Sequence, residues 1–158
     1  MKLNSITTGI ELAGTTVKNL YVKNNIVDIE YEGERNFGMN INEPLFEKTD
    51  SGWFAQMVID FEIEVIQGND ESCKIQLSLE GAFLSQGTVS EDTFKELVII
   101  NGASAIVGIA RGKIEAVSGN IFNNGKIVIP FVNIVDYYKN RKGYFLFSLS
   151  PIEIFRYF

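Results

Sequence analysis

Asn101-Gly102-Ala103-Ser104-Ala105-Ile106-Val107-Gly108-Ile109-Ala110-Arg111-Gly112-Lys113-Ile114-Glu115-Ala116-Val117-Ser118 is the run against which the remaining sequence takes its meaning. Ala103, Ile106, Val107, Ala110, Ile114 and Val117 recur at steps of three and four, which on a helix makes an apolar face about 100° wide or more. That face is expected to lie on the rest of the molecule. A second face carries Ala105, Gly108, Gly112 and Glu115, although each interior glycine costs a helix about 1 kcal/mol relative to alanine. Gly108 and Gly112 stand one above the other, and a missing side chain lets a neighbouring backbone come close. These four residues are therefore the candidate contact between subunits. The competing reading packs the two glycines on the protein's own sheet.

Upstream, Ser90 is placed to cap a short helix, with Glu91 and Asp92 in its first turn and Phe94, Leu97 and Val98 on its inner face. Downstream, the chain turns at Asn123-Asn124-Gly125 and runs extended through Lys126-Ile127-Val128-Ile129-Pro130. It restarts as a helix near Asn133, where Ile134, Tyr137, Tyr138 and Arg141 share a face and Gly143 marks the end.

Ahead of the helices the period changes to two. Trp53–Ile66 sets Met57, Ile59, Phe61, Ile63 and Val65 against Gln56, Asp60, Glu62 and Glu64. Turn residues at Gln67-Gly68-Asn69-Asp70 lead into Lys74–Phe83, with Ile75, Leu77 and Leu79 on one face, so the two runs form an antiparallel hairpin. Its apolar side is expected to take the long helix and its other side to be wet. Thr15–Val22 reads as a first strand and Phe37–Ile41 as a second, ended at Glu43-Pro44, while Glu47–Gly52 reads as a loop. The expected fold class is α+β, a four-stranded antiparallel sheet packed against a long helix, with a short final helix.

The 158 residues fit one domain, with a core of about 15–142 and an apolar tail at 143–158. The tail, from Tyr144-Phe145-Leu146-Phe147 to Phe155, Tyr157 and Phe158, is too apolar to be left in water. It is expected either to cover apolar surface or to add an edge strand. Net charge is −6, which argues against a protein that tracks a nucleic-acid backbone. Aromatic residues make up 12%, twelve of them Phe, which is on the rich side, and aromatics beyond what a core can absorb suggest exposed apolar surface.

The single cysteine, Cys73, cannot close an intrachain disulfide, which fits a reducing compartment. Met1-Lys2-Leu3-Asn4-Ser5 lacks the apolar run of a secretory signal, and no window reads as about 18 consecutive apolar residues, so the expected location is cytoplasmic without membrane insertion.

The chain has no histidine, which removes histidine-based triads and the commonest metal ligand. Gly108–Lys113 looks superficially like a phosphate-binding loop, but its spacing is one residue short and Ile114 stands where Ser or Thr should be. Asp60, Glu62 and Glu64 share a strand face, which is most simply a solvated one. No catalytic residue, metal ligand or cofactor is expected. Function must come from surfaces that bind.

The order of elements resembles the export chaperone SecB and its SecB-like relatives. The resemblance rests on Glu80-Gly81-Ala82-Phe83 ending a strand, Ala110-Arg111 within the long helix, and Ile129-Pro130-Phe131-Val132-Asn133 leading into a final helix with Asp136 and Tyr138. Val17-Lys18-Asn19-Leu20-Tyr21-Val22 is similar to the family's first strand. Together these span about Thr15–Asn140.

The resemblance implies an ATP-independent chaperone, assembled as a dimer or tetramer, that binds unfolded or unassembled polypeptides along an apolar groove. It makes Ile29 and Tyr31 groove candidates, on a crossover connection, beside Phe37, Trp53, Ile127, Ile129 and Phe131; each is also a candidate for the core. Where the family offers acids to an export motor, this chain carries Asn19, Lys23 and Gln76, which puts motor docking in doubt and leaves room for another task such as binding an antitoxin. The alternative from another class is a non-catalytic interaction module with one specific partner. An enzyme built from scattered carboxylates is a third reading, and no local motif asks for it.

Overall fold

The structure is a computed structural model that describes residues 9–141. The segment 143–158, expected to cover apolar surface or extend the sheet, lies outside the described residues. Five strands form one antiparallel sheet: β1 (Ile10–Asn24), β2 (Glu34–Ile41), β3 (Leu45–Thr49), β4 (Gly52–Gln67) and β5 (Glu71–Ser85). The order is β1-β5-β4-β2, and β3 also pairs with β4. β4 and β5 make the expected hairpin, in continuous register from Phe54 opposite Leu84 to Gln67 opposite Glu71.

Two expectations about the sheet are corrected. Glu47–Gly52 is not simply a loop, because Leu45–Thr49 pairs with β4 from Gln56 to Gly52 before the turn at Asp50-Ser51. The sheet accordingly has five strands where four were expected. The physical reason is that β2 covers β4 only as far as Ile59, and the backbone groups beyond need partners. The short β3 supplies them after Pro44. Glu47 and Lys48 stay exposed, which gave this strand the polarity of a loop.

The alternation read in β4 and β5 is realised. Met57, Ile59, Phe61, Ile63 and Val65, with Cys73, Ile75, Leu77, Leu79 and Phe83, are all buried on the side that receives the helix. Burial also pushes the Cys73 thiol above its ordinary pKa, since the thiolate would lose its water.

The helices expected as two are one continuous rod. α1 (Glu91–Leu97) is capped by the Ser90 hydroxyl, which accepts from the Thr93 amide at 3.3 Å. A π-helical turn at Val98–Gly102 then feeds directly into α2 (Ala103–Ile121). By length and hydropathy this rod, Glu91–Ile121, is long and apolar enough to cross a membrane, contrary to the expectation from sequence. Its apolar stripe, however, is pressed on the sheet: Ala103, Ile106, Val107, Ala110 and Ile114 are buried. Fully burying a side chain such as Ile106 is worth about 1.5–3 kcal/mol. Val117 is only half-buried, and the stripe is completed instead by Ser118.

Close approach of helix and sheet occurs at two glycines. A methyl on Gly81 of β5 would stand 2.8 Å from Ile106 Cδ1, and one on Gly102 would stand 3.0 Å from Phe83 Cζ. Gly108–Lys113, with its superficial likeness to a phosphate loop, is ordinary helix. After the turn, residues 126–133 cross extended to α3 (Ile134–Asn140). Asn133 caps that helix, its Oδ1 accepting from the amides of Val135 and Asp136.

Candidate functional site

The connection between β1 and β2 is held by its backbone. Gln67, itself 5% exposed, donates from Nε2 to the Asp28 carbonyl at 2.8 Å and accepts the Glu30 amide on Oε1 at 2.9 Å. The Arg35 guanidinium donates to the carbonyls of Glu30, Tyr31 and Gly33 at 2.8, 2.9 and 2.8 Å. On the other flank, Asp28 Oδ1 accepts from the side-chain amides of Asn123 and Asn124 at 3.1 and 2.9 Å. The amides of Asn123 and Ile29 reach the Val27 and Asn124 carbonyls at 2.8 and 3.2 Å. Gly125, at φ +86°, completes the clasp under Ile29, where a larger residue would collide. With the backbone fixed in this way, Tyr31 is left 96% exposed while Ile29 is half-buried.

The crossing segment runs antiparallel along one flank of α2. Ser118 Oγ accepts the Ile127 amide at 2.8 Å, which explains a hydroxyl in an apolar stripe. Lys126 pairs with Glu115, and the ammonium holds that carboxyl below the usual carboxylate range. Alternation then puts Ile127 and Ile129 inward, at 3% and 1% exposed, and Val128 outward. Phe131 stands 90% exposed, with the Arg111 guanidinium 4.0 Å from its ring centre, within cation–π range.

The seven groove candidates therefore separate into three groups. Tyr31 and Phe131 are solvent-facing; Ile29, Phe37 and Trp53 are partly buried against the core; Ile127 and Ile129 belong to the core itself. For the last two, the expectation of an accessible groove position is corrected, because the amide bond to Ser118 turns their faces of the extended segment inward. Trp53, with the Lys48 ammonium 5.6 Å from its ring, opens β4, whereas Gly33 lies against Ile66 and Gln67 at the strand's other end. At about 3.3 Å per residue that separation is about 40 Å, so Trp53 and Tyr31 share no compact pocket and only an extended chain can touch both.

Sequence reasoning missed other exposed apolar side chains: Val27, Leu45 and Val128, and on β1 Val17 and Leu20. Val17 and Leu20 stand opposite Leu79 and Leu77 on the helix-bearing side of the sheet, but α2 lies over β4 and β5, leaving them 41% and 46% exposed. Their parity was obscured by a register shift between Val17 and Asn19.

On α2, Ala105, Gly108 and Gly112 are exposed, and a methyl added at either glycine would meet no atom within 4 Å. Packing of these glycines on the protein's own sheet is thereby excluded. Glu115 is half-buried beside Lys126.

The sheet's outer side has an open depression of about 490 Å³ bordered by Asn19, Gly38, Asn40, Asp60, Gln76 and Ser78. Its acids have partners. Asp60 accepts from Asn42 Nδ2 and Ser78 Oγ at 2.8 and 2.5 Å, and Glu62 from Gln76 and Lys74 at 2.6 and 3.1 Å. The Gln76 hydrogen bond first, then Lys74, lowers the Glu62 pKa. Among the described residues no group of three or more His, Cys, Asp or Glu could hold a metal ion.

No family model matches the chain, and neither does any curated protein sequence. Solved structures do match. The SecB-like chaperone of Mycobacterium tuberculosis, in complex with a ChAD peptide from an antitoxin, superposes with a TM-score of 0.52 at 8% identity, covering 78% of this chain and 90% of that one. The fold is SecB-like. A protein of unknown function from Streptococcus agalactiae is also similar, at a TM-score of 0.45 and 12% identity over 77% of this chain and 97% of that one.

Proposed function

We propose that the chain is an ATP-independent SecB-like chaperone that holds unfolded or unassembled polypeptides in an extended state, in protein export or in toxin–antitoxin control. The observation that carries this reading is the pair Tyr31 and Phe131, large rings left in water on a fold whose similar solved structure is a chaperone with a peptide bound. Loose, extended clients require many weak apolar contacts spread along a surface, and exposed apolar side chains occur on β1, on the β1–β2 connection and on the crossing segment.

In this proposal the protein acts without a catalytic centre or cofactor, in the cytoplasm. Its net charge of −6 disfavours nucleic acid. Asn19, Lys23 and Gln76 supply no acidic dock for an export motor, so an antitoxin-like client fits better. The test is suppression of aggregation for several unrelated unfolded proteins at near-stoichiometric amounts. Activity toward none of them contradicts the reading.

A second reading, a module with one specific partner, is favoured by the way Tyr31 and Phe131 are held. Gln67 and Arg35 staple the first segment and Arg111 stacks on the second, whereas promiscuous surfaces are usually adaptable. Tight capture of a single cellular protein, with no general antiaggregation activity, selects this alternative.

The chain is further proposed to form a homo-oligomer through Ala105, Gly108, Gly112 and Glu115, since the small-residue ridge is open to a second backbone. Gly112→Leu is expected to lower the particle's mass in solution, by sedimentation, to that of a smaller assembly. An unchanged mass sinks the interface.

A further inference from the structure

β2 ends the sheet opposite β1, and its backbone has a free side. The Asn42 amide bonds to the Val58 carbonyl of β4, which sets the phase of the antiparallel ladder. The even residues of β2 therefore bond to β4, and the odd ones, Arg35, Phe37, Met39 and Ile41, aim their N–H and C=O groups away from it. At Ile41 both outward groups are engaged, the N–H donating to Tyr137 Oη at 2.9 Å and the C=O accepting from the Arg141 guanidinium at 3.0 Å. At Arg35, Phe37 and Met39 no partner on that side occurs among the described residues. The edge at β1 is interrupted by register shifts between Leu12 and Gly14 and between Val17 and Asn19, which discourage pairing; β2 has none.

The two sides of this edge call for different side chains. On the helix-bearing side Phe37 and Met39, opposite Ile63 and Phe61, are only partly buried, so apolar residues of an added strand would extend the core there. On the other side β4 presents Asp60, Glu62 and Glu64, opposite Asn40, Gly38 and Asn36, and Glu34 begins β2. Lys74 offsets Glu62 at 3.1 Å, whereas the Asp60 carboxylate is held by neutral donors, Asn42 and Ser78, so negative charge is in excess. Gly38 is the gap in the row. It is exposed, and it borders the depression that Asp60 and Glu62 also line. Two strand spacings, about 10 Å, would separate β4 from a strand added beyond β2, and the missing side chain at Gly38 leaves a lysine or arginine free to lie across that distance toward the carboxylates.

We propose that β2 takes up an extended segment of another polypeptide as an added strand, one in which apolar residues alternate with lysine or arginine. The apolar residues lie beside Phe37 and Met39, and a basic residue crosses Gly38 toward Asp60 and Glu62. Main-chain bonds to Arg35, Phe37 and Met39 are open to any sequence, and the charge on the wet side selects among sequences. Such a site rests on the reading of the chain as a binder of extended polypeptides, and adds where the segment lies and which pattern it carries. Tyr31, 96% exposed in the connection that leads into β2, stands at the Glu34 end of the same track.

The probe is an eight-residue peptide of alternating Val and Lys, compared with the same composition in two blocks and with alternating Val and Glu. Added to the full chain, the Val/Lys peptide is expected to slow exchange of the Phe37 and Met39 amides about tenfold or more as it saturates, while Ile59 and Leu77 do not change. Its affinity is expected to exceed that of either control by about tenfold. A Cβ at Gly38 meets only Glu62, at 3.8 Å, so Gly38→Val is tolerated in the free chain; it and Glu62→Gln are each expected to shrink that advantage with thermal unfolding unchanged. Binding that leaves the Phe37 and Met39 amides unprotected, equal affinity for the three peptides, edge amides already protected before peptide is added, or a full advantage retained in folded Gly38→Val each overturns the added strand. So does failure to bind the Val/Lys peptide by a chain that still suppresses aggregation, an outcome that leaves the chaperone reading in place. A chain that binds neither the peptide nor unfolded proteins loses both.

Discussion

Gly102 and Gly108 stand six residues apart on one continuous helix, yet they are glycines for opposite reasons. Gly102, like Gly81 facing Ile106, sits in a seam where helix and sheet nearly touch, and a methyl there would press on the Phe83 ring. Gly108 and Gly112 face open space, so nothing among the described residues requires them to be small. Glycines in the seam fix the distance between layers. Glycines on the ridge cost helix stability that no described contact recovers, which is the ground for proposing a second molecule there.

The contrast can be broken from the seam side first. Ile106→Ala removes a fully buried side chain that fills the space over Gly81, and a loss of about 2–5 kcal/mol is expected in denaturant unfolding. Gly81→Ala adds a methyl where Ile106 already stands, and the expected cost of such overpacking is smaller, about 1–3 kcal/mol. Gly108→Ala reverses the sign: in the dissociated chain, at concentrations too low for assembly, there is no described neighbour to displace and it should stabilise by up to about 1 kcal/mol through helix propensity. If Gly108→Ala destabilised the fold as much as Gly81→Ala, the distinction between seam and ridge would fail.

The same contrast describes what the sequence could tell. Its period-two run from Met57 to Val65 and its helical stripe from Ala103 to Ile114 were legible because burial on one side leaves a regular pattern. Gly81 and Gly102 were not marked as the close contacts, since a glycine's neighbours come from another element and leave no trace in local spacing. Gly108 and Gly112 were marked, but their lack of intrachain contact needed coordinates.

The candidate binding surface was legible only in part. Alternation in Ile127-Val128-Ile129 indicates two opposite sides without saying which is inward; the Ser118 hydroxyl, nine residues upstream, decides it. Similarly, nothing near Tyr31 announces its exposure, which depends on Gln67 and Arg35 holding the backbone around it. β3 was hidden by Glu47 and Lys48, whose charges suit an exposed edge as well as a loop.

The chaperone proposal requires that the two water-facing rings, Tyr31 and Phe131, grip other chains. The direct measurement is the affinity of an unfolded, apolar client for the unaltered protein and for the Tyr31→Ser, Phe131→Ser double variant, with thermal unfolding followed in parallel. A fall of about tenfold or more, equivalent to about 1.4 kcal/mol, with the unfolding temperature unchanged is the predicted result. Equal affinity in the two proteins, both folded, contradicts it.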